Sequence, residues 1–113
     1  KGKIKGRYTI FGKNPDKIWE FNNNNSYLIQ NKRRLKLKQK PQKLIENIIE
    51  EFKFKIPSNL PPISALISGY FSYDSIRYIE KIPNSCKDDM KVPDVRLLRP
   101  RTLVIHDNLE KKI

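Results

Sequence analysis

The residues with the clearest chemical potential lie in one short stretch, at Tyr70, Tyr73, Asp74 and Arg77. Two phenols, a carboxylate and a guanidinium this close together can hold a charged or polar ligand. They can equally hold the chain together, since an Asp and an Arg three residues apart meet on one helical turn and contribute about 0.2–0.5 kcal/mol when exposed. We expect a structural role for these four residues and for Gly69, with direct ligand binding as the alternative.

The chain offers little else for catalysis. Cys86 is its single cysteine and lies in a polar turn without a neighbouring histidine, so we interpret it as a bystander thiol. His106 is the single histidine and falls in a β-prone run. One Cys and one His leave no zinc site and no Cys–His or Ser–His–Asp set. The lone cysteine also forms no intrachain disulfide, so a reducing cytosol is the expected compartment.

The chain is strongly basic, because 24 Lys and Arg against 12 Asp and Glu give a net charge of +12. Such a charge is typical of nucleic-acid or anionic-membrane binders. Lys, Asn and Ile are abundant together, however, and all three have AT-rich codons, so base composition can raise the Lys count without a binding face. The densest run, residues 32–38, alternates Leu with cations. We interpret it as a solvated strand edge, with an anion-binding strip as the alternative.

A small nucleic-acid-binding domain is the rival from a different functional class. Trp19 and Phe21 share strand parity with Lys17, which could place aromatic rings among cations on one sheet face. The same alternation describes a core face, and no RNP-like or KH-like glycine motif is present. We therefore expect these aromatic residues to lie in the core.

The length of 113 residues and a hydrophobic fraction of 37% predict one domain with a thin core. A part that packs on a larger neighbour would have the same composition. We expect no membrane span, because no run of about 18 apolar residues occurs, and no secretion leader. The chain begins at Lys1 and stops at Ile113 just after a β-prone run, so we expect both ends to be internal to a longer protein.

The first third of the chain predicts an antiparallel meander of four strands. A turn is expected at residues 12–16, where Gly, Asn, Pro and Asp cluster, and a hairpin loop at the Asn run of residues 22–25. The expected strands cover residues 7–11, 17–21, 26–30 and 34–38.

Residues 41–54 change to a helical period. Their apolar side chains fall on one face, and Pro41 suits the first turn of a helix, where a missing N–H costs nothing. We expect this face to be core. It is formed by Leu44, Ile45, Ile48, Ile49 and Phe52.

The second half of the chain predicts a buried strand, a short helix and further strands. The small apolar run at residues 63–71 is expected to be buried, with Gly69 allowing another backbone close approach. Residues 73–80 have helical spacing, with Ile76, Ile79 and either Tyr73 or Tyr78 inward. Strands are expected at residues 95–98 and 102–107, interrupted at Pro100. The expected class is α+β (mixed α/β), a largely antiparallel sheet with one long amphipathic helix and one short helix.

Two blocks of sequence carry a family resemblance. The first is Gly-Arg-Tyr-Thr-Ile-Phe-Gly at residues 6–12, followed by Asn-Pro-Asp at 14–16, and the second is the stretch from Gly69 to Thr102. Together they resemble the amino-terminal domain of anthranilate synthase component I, a chorismate-utilising enzyme. The whole chain, 1–113, then corresponds to an amino-terminal domain fragment of a larger two-layer enzyme.

The resemblance implies a reaction that happens elsewhere. The family's large subunit converts chorismate and ammonia to anthranilate and pyruvate for tryptophan biosynthesis, uses Mg²⁺, and receives ammonia from a glutamine amidotransferase subunit. Chorismate and Mg²⁺ bind in the family's carboxy-terminal domain, which is absent from these 113 residues. The resemblance therefore implies no catalytic residue and no metal ligand in this chain, and an isolated fragment that is inactive.

A regulatory contribution is implied as well. The family's amino-terminal domain helps to form an allosteric pocket for L-tryptophan. Its main motif, Leu-Leu-Glu-Ser, does not occur in this sequence, whereas a second contributing strand matches Arg7, Tyr8 and Thr9. These three residues are the tryptophan-binding candidates.

Component I of aminodeoxychorismate synthase, an enzyme of the folate pathway, shares the fold and the second block and is the alternative family. The Pro83-Asn84, Asp88-Asp89, Pro93-Asp94 and Pro100-Arg101-Thr102 series is more similar to anthranilate synthase. Isochorismate and salicylate synthases resemble the chain less.

Overall fold

The computed structural model describes residues 6–83, 85 and 87–113. Cys86, interpreted above as a bystander thiol, lies outside the described residues. The elements in chain order are β1 (Tyr8–Asn22), β2 (Asn25–Gln30), β3 (Arg33–Leu37), α1 (Pro41–Glu51), a 3-10 helix (Pro62–Ser64), β4 (Ser68–Phe71), a second 3-10 helix (Tyr73–Tyr78) and β5 (Val95–Asp107).

The strands form one five-stranded antiparallel sheet in the order β3-β2-β1-β5-β4. β5 comes last in sequence but lies between β1 and β4, so the first and last strands pair along the middle of the sheet. The expected α+β class, with its antiparallel sheet and long amphipathic helix, is confirmed. Membership of a two-layer enzyme stays a prediction. Among the described residues, no helix has the length and apolar character needed to cross a membrane.

The turn predicted at residues 12–16 is wrong, because β1 runs through it. Residues 7–11 and 17–21 therefore belong to one strand, and the predicted four-strand meander has three strands. The irregular residues are absorbed by a register shift between Pro15 and Lys17, and Asn14 adopts a φ of 51°, which Asn tolerates better than most residues.

The interruption predicted at Pro100 is also wrong. Pro100 lies opposite Pro15 in the β1–β5 register, so both residues that lack an N–H meet at one place. The loss of ladder hydrogen bonds is thereby confined to the bulge, and pairing resumes on both sides of it.

Both β1–β2 and β2–β3 are joined by two-residue turns. The Asn23-Asn24 turn has φ values of 46° and 63°, and the Asn31-Lys32 turn has 50° and 62°. Two successive positive φ values define the type I′ turn, which matches the twist of a hairpin. The predicted hairpin loop in the Asn run is confirmed, and β3, which carries most of the basic run, is an edge strand as expected.

The core lies between α1 and one face of the sheet. It contains Trp19 and Phe21 from β1, Leu44 and Ile48 from α1, and Val95 and Leu97 from β5. The predicted helix is confirmed with Pro41 in its first turn, although it ends at Glu51 rather than at residue 54. Ile49, assigned to the apolar face, is 53% exposed.

The prediction of a buried strand over residues 63–71 is wrong. Only Ser68–Phe71 form a strand, β4, and all four residues are exposed because β4 is the outer strand beside β5. The expected close backbone approach is present, since a Cβ on Gly69 would overlap the Arg96 carbonyl.

The short helix predicted at residues 73–80 is a 3-10 helix that ends at Tyr78. Tyr78 is the inward tyrosine and packs against the core, whereas Tyr73 is 92% exposed. Ile79 was expected inward but is 76% exposed, because the tighter 3-10 winding displaces it from the face predicted at helical spacing.

Candidate functional site

A large concave surface lies beside the outer part of the β1–β5 pair. Beyond the bulge these strands continue as a two-stranded ribbon, defined by residues 8–13 of β1 and 102–107 of β5. A groove of about 760 Å³ runs between the ribbon and residues 58–64, which follow α1 in the chain. Its lining residues are Arg7, Tyr8, Ser58, Asn59, Leu60, Pro61, Pro62, Ser64, Leu103, Val104, Ile105, Asp107, Glu110, Lys112 and Ile113.

A charged pair from opposite ends of the chain closes one side of the groove. Arg7 donates from Nε and Nη2 to Asp107 Oδ2 at 2.9 and 2.8 Å, and its guanidinium lies 5.1 Å from the centre of the Tyr8 ring. The hydrogen bond from Arg7 lowers the pKa of Asp107 to about 2, assisted by the backbone N–H groups of Glu110 and Leu109. The same hydrogen bond raises the pKa of Arg7.

Thr9 faces away from the groove, because neighbouring strand residues point to opposite faces. Its hydroxyl accepts a hydrogen bond of 2.9 Å from Asn108 Nδ2, which also donates to the Gly6 carbonyl at 3.0 Å. The Asn108 N–H in turn donates to the Arg7 carbonyl at 2.7 Å. Of the three tryptophan candidates, Arg7 and Tyr8 therefore line the groove, and Thr9 holds the backbone beneath them through Asn108.

The orientation of Asn108 also fixes the tautomer of the single histidine. Because Asn108 Nδ2 faces the acceptor-only Gly6 carbonyl, its Oδ1 must face His106 Nδ1, at 3.1 Å. His106 then carries its proton on Nδ1.

Asp107 and Asn108 were missed as site residues, although an Asp-Asn pair at the end of a strand is a known signal for side-chain-stabilised turns.

The motif of Tyr70, Tyr73, Asp74 and Arg77 lies outside the groove, and its expected structural role stays a prediction. Tyr73 is almost fully exposed, and none of the four residues lines the groove. Arg77 donates to Asp74 at 2.9 Å, the i,i+3 pair considered above, and its Nη1 donates to the carbonyls of Ile82 and Pro83 at 3.0 Å. These contacts stabilise the chain after the 3-10 helix, which supports the structural interpretation.

Asp94, which the sequence analysis names only in the Pro93-Asp94 pair of the family resemblance, connects three segments of the chain by hydrogen bonds. Its Oδ2 accepts from the Tyr78 hydroxyl at 2.5 Å and from the Asn23 N–H at 3.0 Å, and its carbonyl accepts from the Ser72 N–H at 2.7 Å. Burial and the hydrogen bond to Asp94 raise the pKa of the Tyr78 phenol well above its usual 10.0. Its residue type gave no signal for this role, because its partners lie up to 71 residues away in sequence.

A second ionic cluster joins the bulge to α1. Arg99 donates to both carboxylate oxygens of Asp16, at 2.8 and 2.7 Å, and lies 3.3 Å from Glu51 Oε1. Lys17 Nζ reaches the same Glu51 oxygen at 3.0 Å. The hydrogen bonds from Arg99 lower the pKa of Asp16. The cluster ties the start of the ribbon to the last turn of the helix.

The aromatic face expected by the nucleic-acid hypothesis does not exist. Trp19 and Phe21 are 3% and 0% exposed, so neither ring is available for stacking on a base. In the part of the chain that the structure describes, no three His, Cys, Asp or Glu side chains come together as metal ligands.

Comparison with known proteins gives consistent relatives. Anthranilate synthase component 1 of Cereibacter sphaeroides is 32% identical over 117 aligned residues, which cover 99% of this chain and 23% of that protein. The protein of the same name from Acetivibrio thermocellus is 33% identical over 95% of this chain and 22% of its own length. No protein-family model matches the chain.

A solved structure confirms the fold. The crystal structure of anthranilate synthase component I from Streptococcus pneumoniae matches 97% of this chain and 24% of that chain, with a TM-score of 0.75 at 24% identity. The chain thus spans under a quarter of the length of these relatives. Because the sequence similarity extends over essentially all of its residues, the chain belongs to the anthranilate synthase component I family.

Proposed function

We propose that the chain is the amino-terminal, structural and regulatory part of the large subunit of an anthranilate synthase. The observation that carries this proposal is the 32% identity over 99% of the chain, confined to 23% of the relative's length. The relatives named above are anthranilate synthases, which favours this interpretation over aminodeoxychorismate synthase of the folate pathway.

Catalysis is assigned to the remainder of the longer protein. There, a carboxy-terminal domain would hold chorismate and Mg²⁺, and a glutamine amidotransferase subunit would supply ammonia for the formation of anthranilate and pyruvate in the cytosol. This division is supported by the short span of the match, which is 23% and 22% of the lengths of the two relatives.

The groove at the ribbon suits an amino acid with a large apolar side chain. Leu103 and Ile105 supply an apolar wall, and Arg7 and Asp107 supply one charge of each sign. A zwitterion could exchange partners with this ion pair, its carboxylate binding Arg7 and its ammonium binding Asp107. We therefore assign the L-tryptophan contact to Arg7 and Tyr8, with Thr9 positioning them through Asn108.

Calorimetric titration of the chain with L-tryptophan tests this assignment. Arg7→Ala and Tyr8→Ala should weaken binding about tenfold, because each removes a direct contact. Thr9→Val keeps the side-chain shape on the opposite face and should weaken binding less. Absence of binding by the unsubstituted chain, or equal affinity for D-tryptophan, would contradict the assignment.

A second assay tests whether these residues lack catalytic activity on their own. The chain, purified free of host enzyme and supplied with chorismate, ammonia and Mg²⁺, should form no fluorescent anthranilate. Turnover above the background would show that a catalytic site lies within these residues and would overturn the structural and regulatory role.

A further inference from the structure

The face of the sheet that points away from α1 carries a charged row. Trp19 and Phe21 of β1 lie in the core beneath α1, so Glu20 between them faces the opposite side. In the strand register, Glu20 lies level with one residue from each of the other four strands. From β3 to β4, this row is Lys36, Tyr27, Glu20, Arg96 and Tyr70.

The next row on the same face is mainly apolar. It contains Ile29 of β2, Ile18 of β1 and Leu98 of β5, which are each half-buried, and it ends at Arg34 of β3. A sheet face that only meets water usually carries polar residues. Aliphatic side chains with Tyr and Arg among them are instead typical of the centre of a protein interface. We call the two rows together the second sheet face.

Glu20 holds the two arginines of the second sheet face. The residue is 8% exposed, and its carboxylate oxygens lie 3.3 Å from Arg34 Nε and 3.6 Å from Arg96 Nε. The Arg34 guanidinium also lies 3.8 Å from the centre of the Tyr27 ring, where the ring attracts a cation. Both arginine side chains remain about half exposed, so their Nη groups can bind a further carboxylate.

The charges of this face are unequal. Arg34, Lys36 and Arg96 are three cations, and Glu20 is one carboxylate. An acidic partner would neutralise the excess, and its apolar side chains would cover the aliphatic row. A second copy of the chain fits poorly, because it would bring the same cations together and each copy has a net charge of +12. Nucleic acid would meet the cations but leave the aliphatic row without a partner, since such interfaces are more polar.

We propose that the second sheet face is the docking surface for the remainder of the longer protein, which places a carboxylate between Arg34 and Arg96 and apolar side chains around it. The inference rests on the proposed function, because the occupant is the rest of the synthase subunit. The extent of the match leaves room for it, since the chain corresponds to 23% and 22% of the lengths of two relatives.

Hydroxyl-radical footprinting of the tyrosines tests the docking surface, in the 113-residue chain and in the full-length subunit. Tyr70 is 39% exposed in the chain and should react about tenfold more slowly in the subunit, because the docked surface excludes water from it. Tyr73 is 92% exposed, lies outside the second sheet face and should react at the same rate in both. Unchanged reactivity of Tyr70 would overturn the proposal, and equal protection of Tyr73 would move the contact to the end of β4 and overturn it too.

A matched pair of variants tests the charge pairing. Arg33 and Arg34 are both exposed and point to opposite faces of β3. In the full-length subunit, Arg34→Gln should raise the Tyr70 reaction rate at least about threefold, because a lost charged hydrogen bond makes undocking more frequent. Lys36→Gln, which leaves both Glu20 contacts in place, should act in the same direction. Arg33→Gln should leave the rate unchanged within about twofold, and an equal effect of Arg33→Gln and Arg34→Gln would reduce the result to net charge and overturn the pairing.

Anthranilate formation by the same full-length samples reports the proposed function separately. Protection of Tyr70 in a subunit without this activity would keep the docking surface and contradict the enzyme assignment, and an active subunit with unprotected Tyr70 would do the reverse. Protection of Tyr70 in the 113-residue chain at raised concentration would replace the occupant with a second copy. Its protection by a single-stranded oligonucleotide would replace the occupant with nucleic acid, and either result would overturn the proposal.

Discussion

Removal of the Asp94 carboxylate should break the two hydrogen bonds that connect the start of β5 to Tyr78 and to Asn23, while the bond from Ser72 to the Asp94 carbonyl remains. Its hydrogen bond with Tyr78 is partly buried and charge-assisted, worth about 2 kcal/mol, and its bond with the Asn23 N–H is exposed and worth about 1 kcal/mol. We therefore expect Asp94→Ala to lower the free energy of unfolding by about 3 kcal/mol and Tyr78→Phe by about 2 kcal/mol. The double variant should lose about 3.5 kcal/mol, which leaves a coupling of about 1.5 kcal/mol between the two side chains.

Urea unfolding, followed by fluorescence of the single tryptophan, measures the free energy of unfolding of the unsubstituted 113-residue chain, the two single variants and the double variant. Trp19 is buried in the core, so its emission should change when the core opens. The exposed pair of Asp74 and Arg77 provides the control cycle, with an expected coupling below about 0.5 kcal/mol. A coupling free energy between Asp94 and Tyr78 no larger than that of the control pair would refute the conclusion that Asp94 connects these segments.

Three further outcomes follow from single contacts. Because the pKa of Tyr78 is raised above 10.0, the stability it contributes should be lost as the pH rises beyond 10, and the melting temperature of Tyr78→Phe should fall less over that range. Because the pKa of Asp107 is lowered to about 2, its contribution should be lost between pH 4 and 2, and Asp107→Asn should flatten that part of a thermal-unfolding series. Gly69→Ala should lower the melting temperature, because a Cβ there meets the backbone of β5; an unchanged value would show that β4 can shift without cost.

The sequence predicted elements whose signals are local. The helical period predicted for residues 41–54 places Leu44 and Ile48 on one face, and both are buried in the core. The Asn run supplies two residues that tolerate positive φ, which a type I′ turn requires. Both signals can be seen within a dozen residues, so neither depends on the rest of the fold.

The errors arose where pairing between distant strands determines the outcome. Residues 12–16 and Pro100 each look like a break, but they lie opposite each other, and the long β1–β5 pairing carries both strands past the defect. The apolar run at 63–71 looks buried, yet β4 is the outer strand of the sheet and lacks a second neighbour among the described strands. Neither strand order nor register can be obtained from the composition of one segment.

The candidate site also combines residues with a local sequence signal and residues whose role depends on distant partners. Arg7 and Tyr8 were found through a family resemblance, whereas Asp107, the partner that fixes Arg7, lies 100 residues away in sequence. Asp94 and Asp16 are separated from their partners in the same way. Each is an ordinary acidic residue in a turn-prone segment until the fold supplies its partner.

The position of the groove has a mechanical consequence for the proposed regulation. β2 pairs with β1 only from Ile18 onward and β4 pairs with β5 only up to Leu98, so in the described structure the ribbon beyond the bulge has no flanking strand on either side. A segment with so few neighbours should open at a lower free energy than the core. A ligand that binds only the closed ribbon stabilises it by about 2.7 kcal/mol at a hundredfold excess over its dissociation constant. Arg99 connects the base of the ribbon to the last turn of α1 through Asp16 and Glu51, so we expect a ligand that orders the ribbon, such as the proposed L-tryptophan, to stabilise that turn as well.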